Sequence, residues 1–387
     1  MSITYQSVKE HFIARFQREP LLVRSPGRIN LIGEHTDYND GFVMPAAINK
    51  EIIFAIAPAE SKSIIYSLDY NESLEIDIRD PKPVTNPGWA NYLLGMLRQF
   101  TDRNLEVAPF TCVFGGNIPV GSGLSSSAAL ECGFGSALQT LNSVQLSRIE
   151  MARMGQWSEH NFVGVRCGIM DQFANMMGKE EHVIQLDCRS MEYRYFPANL
   201  HEYSIVLFNS GVKHSLASSE YNIRRVECEE GVHILSGKNP HIKSLRDVSM
   251  TELDAMRTQM SSQVFTRCKY IVEEIERVEQ ASSDLQQGNL LAFGRRMFET
   301  HEGLSKLYQV SCEELDFLVS QVSERKEVLG ARMMGGGFGG CTINIIEQAA
   351  ANDVINSVKN HYNKRFGIDA EVYTVQITSG TGLISPT

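Results

Sequence analysis

Asn117-Ile-Pro-Val-Gly-Ser-Gly-Leu-Ser-Ser-Ser-Ala128 joins a strand-like run, Phe110 to Gly116, to a helix-like run from Ala128 to Leu141. Gly121 and Gly123 give the backbone access to conformations that a side chain would forbid. Ser125, Ser126 and Ser127 then gather hydroxyls and backbone N–H groups at a helix start. The first N–H groups of a helix have no internal partner and carry the positive end of its dipole, so the stretch suits an anion. The same residues also suit an ordinary strand–turn–helix corner with a serine cap. One alternative is excluded. There is no Gly-Lys-Ser/Thr ending, so this is not the mononucleotide loop that places a lysine on the phosphates.

A chain of 387 residues is long for a single core and long enough for two domains. The 43% hydrophobic and 21% charged contents are those of a globular protein in water. A formal charge of −10 argues against non-specific binding to nucleic acid or an anionic membrane, while leaving room for one local anion site. Residues 1–17 read as an amphipathic helix interrupted by charges, unlike a leader sequence, and no apolar run is long enough to span a bilayer. The eight cysteines, none closely paired, form no zinc or redox motif and fit reduced thiols in the cytoplasm.

Leu21 to Arg24 reads as a short strand entering Ser25-Pro-Gly-Arg-Ile-Asn-Leu-Ile-Gly-Glu-His-Thr-Asp-Tyr-Asn39, taken as a constrained polar turn. Arg28, Glu34, His35 and Asp37 lie close together there. Such mixed donors and acceptors suit a ligand rich in hydroxyls. Three strands follow at Glu51–Pro58, Ser63–Leu68 and Leu74–Ile78, then a helix from about Trp89 to Phe100. Trp89 and Tyr92 could pack on a purine or simply in the core. A helical run from Leu146 to Phe162 ends in Glu159-His160-Asn161. Asp171 falls in the first turn of a short helix closed by Gly178, a position the dipole favours for any carboxylate.

Strands are expected again at Val183–Leu186, Tyr193–Phe196 and Tyr203–Phe208, and helices at Ser218–Leu235, Ser262–Gln280 and Leu290–Leu307. The glycine-rich Ala331-Arg-Met-Met-Gly-Gly-Gly-Phe-Gly-Gly-Cys341 leads into a strand at Thr342–Ile346, a helix at Ala350–Phe366 and a last strand at Glu371–Ile377. Strands lead and helices cluster afterwards in each half, which indicates α+β. The expected division is 1–200, carrying the Arg28 stretch and the serine loop, and 201–387, carrying the second glycine run.

Gly27-Arg-Ile-Asn-Leu-Ile-Gly-Glu-His-Thr-Asp-Tyr38 resembles the signature of galactokinases, members of the GHMP small-molecule kinases. Gly123-Leu-Ser-Ser-Ser-Ala128 resembles that family's phosphate loop and Gly335-Gly-Gly-Phe-Gly-Gly340 its second glycine motif. Cys167-Gly-Ile-Met-Asp-Gln172 and His214-Ser-Leu-Ala-Ser-Ser-Glu-Tyr221 point to galactokinases in particular. The five motifs stand in order over residues 20 to 345.

The resemblance implies two α+β domains with the active site in the cleft between them. It implies phosphorylation by ATP of the anomeric hydroxyl of galactose, the first step of galactose catabolism. It casts Asp171 as the catalytic carboxylate and Arg28 as its cationic neighbour. Gly121, Ser122, Gly123, Leu124, Ser125, Ser126, Ser127 and Ala128 fall to ATP, with Trp89 at the adenine. Ser127 and Glu159 fall to Mg2+, and Glu34, His35, Asp37, Gly168 and Tyr221 to the sugar. Asp37 is the candidate to read the sugar 4-hydroxyl. The partners expected are small molecules alone, met by a monomer.

Two positions depart from the family pattern. Met334 stands where relatives commonly have threonine, and the cation Arg166 where a neutral residue is usual; either could alter nucleotide affinity or sugar preference. Two alternatives stay beside galactose phosphorylation. One is a kinase of a relative such as N-acetylgalactosamine; the other is a sensor that binds galactose and ATP without turnover.

Overall fold

Thr4 and Ser7 close a capping box at the start of α1 (Tyr5–Phe16), whose Val8 and Phe12 are fully buried. The computed structural model describes residues 3–119, 121–212 and 217–384, the side chains of 217–219 excepted. After α1 come β1 (Leu21–Asn30), β2 (Phe42–Val43), β3 (Pro45–Pro58), β4 (Ser63–Ser67), β5 (Glu72–Ile76), α2 (Ala90–Asp102) and β6 (Phe110–Gly116). Three helices follow, α3 (Ser126–Leu141), α4 (Arg148–Ser158) and α5 (Met170–Met177), and then β7 (His182–Asp187) and β8 (Tyr193–Pro197). The second half holds β9 (Tyr203–Asn209), α6 (Ala217–Lys238), α7 (Met250–Ala255), α8 (Ser262–Gln286), α9 (Leu290–Glu302) and α10 (Glu313–Ser320). It ends with β10 (Val328–Met333), β11 (Cys341–Glu347), α11 (Ala351–Phe366), β12 (Glu371–Val375) and β13 (Gly382–Leu383).

A six-stranded sheet in the order β13-β1-β3-β6-β4-β5 is antiparallel except between β4 and β6. The central strand β3 is apolar at every position from Ile52 to Ala57, as a strand covered on both faces must be. Its Ile52, Phe54 and Ile56 enter the core beneath α2 to α5, while Ile53, Ala55 and Ala57 meet α1. A second sheet, β10-β11-β9-β12, alternates in the same way. Ile205 and Leu207 of β9 join the first core, and Val206 and Phe208 face α10 and α11. This shared apolar seam makes the α+β halves one body. β2, β7 and β8 form a small third sheet. We propose the domain division near residue 200, with β13 returning from the second half to pair with β1.

The stretch after Arg24 is not the turn expected from the sequence. β1 runs on to Asn30, through Pro26 and Gly27. Both residues weaken strands, but the register with β3 slips between Pro26 and Arg28, so no ladder bond is needed there. Arg28 N–H instead reaches sideways to the Leu124 carbonyl at 3.1 Å, binding β1 to the serine loop. Two long helical runs also end in wider turns than expected. Glu159–Val163 after α4 and Gly303–Tyr308 after α9 are π-helical, a form that turns side chains out of the regular helical register. Residues 250–255, 313–320 and 328–333 form elements that sequence periodicity did not mark.

Helix α9 lies on β10 with backbone against backbone. A Cβ on Gly294 would overlap the Leu329 carbonyl, and one on Gly330 would lie 2.6 Å from the Gly294 oxygen. Alanine in a helix is favoured over glycine by about 1 kcal/mol, whereas overpacking against rigid backbone costs about 1–3 kcal/mol. We expect the packing term to win, so Gly294→Ala lowers the urea midpoint without altering the overall circular dichroism. A midpoint that rises would contradict this packing account.

Candidate active site

The bulge in β1 delivers Arg28, 4% exposed, to the first turn of α5. Its Nε donates to Asp171 Oδ1 at 2.8 Å and its Nη2 to Oδ2 at 3.0 Å, a two-point ion pair. Its Nη1 donates to the Gly123 carbonyl at 2.5 Å. Burial works against the guanidinium charge, but the carboxylates of Asp171, Glu34 and Asp37 outweigh it and raise the Arg28 pKa. Ser125 stands at the helix start in a left-handed conformation (φ 59°) and does not cap α3. Its hydroxyl donates to Asp171 Oδ2 at 2.5 Å instead. Oδ2 therefore accepts twice and Oδ1 once, which leaves an acceptor site on Oδ1.

The pair opens into a cavity of about 290 Å³, walled on one side by Gly121 to Ser127 (Val120 lies outside the described residues). Positive φ at Gly121 (76°) and Gly123 (75°) turns the loop so that α3 starts at the cavity edge. The second glycine run packs against it: a Cβ on Gly335 would lie 3.3 Å from the Gly123 carbonyl. Ala128 is buried in the core and does not line the cavity.

Glu34, His35, Asp37, Gly168 and Tyr221 line the same cavity. Glu34 Oε1 accepts from Arg332 Nη1 (3.0 Å), Arg332 Nη2 (3.1 Å) and the Gly335 N–H (2.9 Å). Among the described residues, Oε2 makes none of these bonds. His35 Nδ1 lies 2.8 Å from the Tyr38 hydroxyl, while its buried Nε2 has no partner of ordinary hydrogen-bond geometry among the described residues. Burial, helped by the Arg224 and Arg332 charges, lowers the His35 pKa to about 3, although the nearby Gly336 peptide acts the other way. The imidazole is thus neutral at neutral pH. It sits among the rings of Tyr221 (5.2 Å) and Tyr308 (4.9 Å). Asp37 takes the Tyr38 N–H at 3.0 Å, and a Cβ on Gly168 would overlap its carboxylate, so only glycine allows this approach. Of the His214-Ser-Leu-Ala-Ser-Ser-Glu-Tyr221 motif, residues 214–216 and the side chains of 217–219 lie outside the described residues.

Ser127 and Glu159 face the same cavity beside Asp171. Burial and the Asp171 charge push the Glu159 pKa up to about 7, against hydrogen bonds from Cys167, Ser127 and Gln172. Gln172 Nε2 bridges Glu159 Oε2 (3.0 Å) and Glu131 Oε2 (2.9 Å). No group of three or more His, Cys, Asp or Glu able to hold a metal occurs among the described residues. One hydroxyl and one carboxylate match an ion that keeps several waters, the manner of Mg2+ rather than Ca2+ or Zn2+.

Trp89 is not in this cavity. Its ring is 6% exposed, edge-on to Phe114 at 5.2 Å, and its indole N–H donates to Glu72 at 2.9 Å. It lines a separate, more open cavity with Tyr70, Asn86 and Gly88, and Tyr92, one turn further along α2, reaches the main one. Neither departure lines the cavity, although the Met334 carbonyl packs against Gly123 of the serine loop. Met334 is 1% exposed with its sulfur 3.4 Å from the Asn30 N–H, and Arg166 pairs outward with Glu229 at 2.8 Å. Sequence reading missed Arg332, fully buried on β10, and Glu131, the single charged residue of α3. Each carried a signal: a lone charge inside an apolar run requires a partner.

Three family models match the chain: the galactokinase galactose-binding signature at residues 10–58, the GHMP kinase N-terminal domain at 91–179 and the C-terminal domain at 281–364. Galactokinase of Thermotoga maritima is 40% identical over 92% of this chain and 98% of its own. The chain belongs to the galactokinase family. Human galactokinase is 39% identical over 96% of this chain and 95% of its own. The crystal structure of Lactococcus lactis galactokinase complexed with galactose superposes with a TM-score of 0.95 at 34% identity, covering 98% of this chain and 99% of that one. Mevalonate kinase of Methanococcus jannaschii (TM-score 0.67, 19% identity) shares the fold. This is the GHMP kinase fold with its two α+β domains.

Burial, and then Asp171, pushes the Asp37 pKa up to about 7 in this galactokinase-family chain. Asp37 thus contributes stability fully below the ordinary value near 3.8 and loses it as pH rises through about 7. His35, shifted down, gives the opposite trend between about 6.5 and 3 and masks it in the unaltered protein. We expect Asp37→Asn to become progressively more stable relative to the unaltered protein from about pH 4 to 7, then hold a constant difference. Urea midpoints across that range test it; a difference that does not move with pH would refute the buried, proton-holding Asp37.

Proposed function

We propose that this protein transfers the terminal phosphoryl group of ATP to the anomeric hydroxyl of galactose, releasing galactose 1-phosphate and ADP. The observation that carries the reading is the Arg28–Asp171 pair set between a helix-start anion site and a wall of sugar-type donors and acceptors. The similarity to galactokinases along nearly the whole chain supports it. The separate alternatives, an N-acetylgalactosamine kinase and a sensor without turnover, have no observation in their favour.

In this reading the sugar lies against Glu34, His35, Asp37, Gly168 and Tyr221, with its anomeric hydroxyl donating to the open site on Asp171 Oδ1. The hydroxyl oxygen attacks the terminal phosphorus as the bond to the bridging oxygen of ADP breaks. Asp171 takes or steers the released proton, and Arg28 stabilises charge on the transferring group. Backbone N–H groups at the start of α3 hold the phosphates. Ser127 and Glu159 hold Mg2+, which neutralises phosphate charge when bound. The adenine reaches the open cavity beside Trp89, with Tyr92 between the two sites. The enzyme acts on small molecules alone, as a monomer in the cytoplasm; no described helix is long and apolar enough to cross a membrane.

A sugar panel with ATP and magnesium, scored for ADP release and for the position phosphorylated, tests the activity. Galactose should lead, with the phosphate on the anomeric oxygen; a different leading sugar would overturn the assignment. Asp171→Asn keeps the side-chain volume and removes the charge paired with Arg28. We expect it to retain galactose binding by calorimetry while turnover falls at least a hundredfold, a barrier increase of about 3 kcal/mol.

The metal assignment makes a separate expectation. Glu159→Gln should raise the magnesium concentration needed for half-maximal turnover at least tenfold, and the galactose KM by less than threefold. Equal shifts in both would mean that Glu159 only braces the turn on which it sits.

A further inference from the structure

After β12 the chain turns back across the molecule, and the segment from Thr378 to Ile384 touches both elements that carry the Arg28–Asp171 pair. Gly380 N–H donates to the Gly178 carbonyl and Thr381 N–H to the Asn175 carbonyl, both at 2.8 Å, so the segment grips the end of α5. It then pairs with β1, Gly382 opposite Arg24 and Leu383 opposite Val23. The approach to α5 is tight: a Cβ on Gly380 would lie 2.6 Å from the Met176 carbonyl and 2.7 Å from that of Asn175.

Between these two grips lies a closed ring of three buried side chains. Thr381 Oγ1 donates to Asn175 Oδ1 at 2.6 Å, and Asn175 Nδ2 donates to Ser25 Oγ at 2.9 Å. Ser25 and Thr381 hydroxyls are 3.0 Å apart, and since the Thr381 proton is already used, Ser25 is the donor. Each member both donates and accepts, and each is at most 2% exposed: Ser25 0%, Asn175 1%, Thr381 2%. Such a ring holds its members cooperatively. Asn175 also donates to the Pro26 carbonyl at 2.6 Å, at the edge of the β1 bulge.

The ring sits behind the reacting pair. Asn175 is one helical turn beyond Asp171 on the same face of α5, and Ser25 is three residues before Arg28 on β1. We propose that Thr381 is a positioning residue: through Asn175 and Ser25 it fixes the spacing of α5 and β1, and thereby the placement of Asp171 against Arg28 and the sugar hydroxyl. The inference rests on the reading of that pair as catalytic. An error of about 1 Å in such a placement costs on the order of a hundredfold in rate.

Thr381→Val keeps the shape and removes the hydroxyl. In the full chain, kcat should fall at least tenfold while KM for galactose and for ATP stays within about threefold, and Thr381→Ser should restore kcat to within about twofold. Ser25→Ala opens the same ring from the β1 side and should give the same loss confined to kcat, which keeps the test open should Thr381→Val fold poorly. In an Asp171→Asn background the loss from Thr381→Val should vanish. Unchanged kcat in either folded ring variant, failure of serine to restore it, or an equal loss in the Asp171→Asn background would each overturn the proposal. Near-normal turnover of Asp171→Asn alone would instead remove the catalytic reading on which it stands.

Discussion

Arg28 is a guanidinium held out of water, and its pairing with Asp171 constrains everything around it. Burying such a pair costs several kcal/mol in lost hydration, which its mutual attraction offsets only in good geometry. Its presence is therefore poor evidence for stability and better evidence for a fixed arrangement. The arrangement is over-determined: a strand bulge supplies Arg28, a helix start supplies Asp171, Gly123 takes a further N–H of Arg28, and Ser125 donates to Asp171 Oδ2, which leaves one acceptor position on Oδ1 open. Ser125 accepts a left-handed backbone, unfavourable for a side chain by about 1 kcal/mol or more, to place its hydroxyl there.

Around this pair the charges do not balance. Arg28 and Arg332 face four carboxylates, Glu34, Asp37, Glu159 and Asp171, in or at the edge of one cavity. The protein relieves the excess by holding protons: Asp37 and Glu159 are both pushed up to about 7. A nucleotide triphosphate would add further negative charge. That is the physical reason a divalent cation belongs to the proposed reaction, with Ser127 and Glu159 as its hard oxygen donors and α3 offering N–H groups to the phosphates.

Much of this was legible in the sequence because it depends on local chemistry. The glycines and serines of residues 121–127 declare a turn and a helix start whatever the rest of the chain does. The β1 bulge was not legible, since Pro26 and Gly27 argue locally against a strand; only β3 alongside and the Leu124 carbonyl make one worthwhile. The strand at 328–333 was hidden by the neighbouring glycines, and Arg332 with it. Beyond the adjacent Met333 carbonyl, its attachment to Glu34, Leu31 and Asn30 is a matter of tertiary contact alone. Met334 and Arg166 looked like changes to the cleft, yet one side chain points into the core and the other toward α6.

His35 shows how burial can set function as well as stability. A charged imidazole could only donate hydrogen bonds, whereas the neutral ring can donate from one nitrogen and accept at the other. Desolvation beside Arg224 and Arg332 selects the neutral form. Tyr38 occupies Nδ1, and its hydroxyl is in turn 2.7 Å from that of Tyr308, so the ring is oriented by a chain of contacts reaching the π-helical turn after α9. Among the described residues Nε2 is buried with no partner of ordinary hydrogen-bond geometry, although the nearby Gly336 peptide acts on the ring. A buried polar atom left without a partner costs about 1–3 kcal/mol. In the proposed reading a sugar hydroxyl placed to pair with this ring would remove that cost and a misplaced one would not, which is how such a pocket would distinguish isomers.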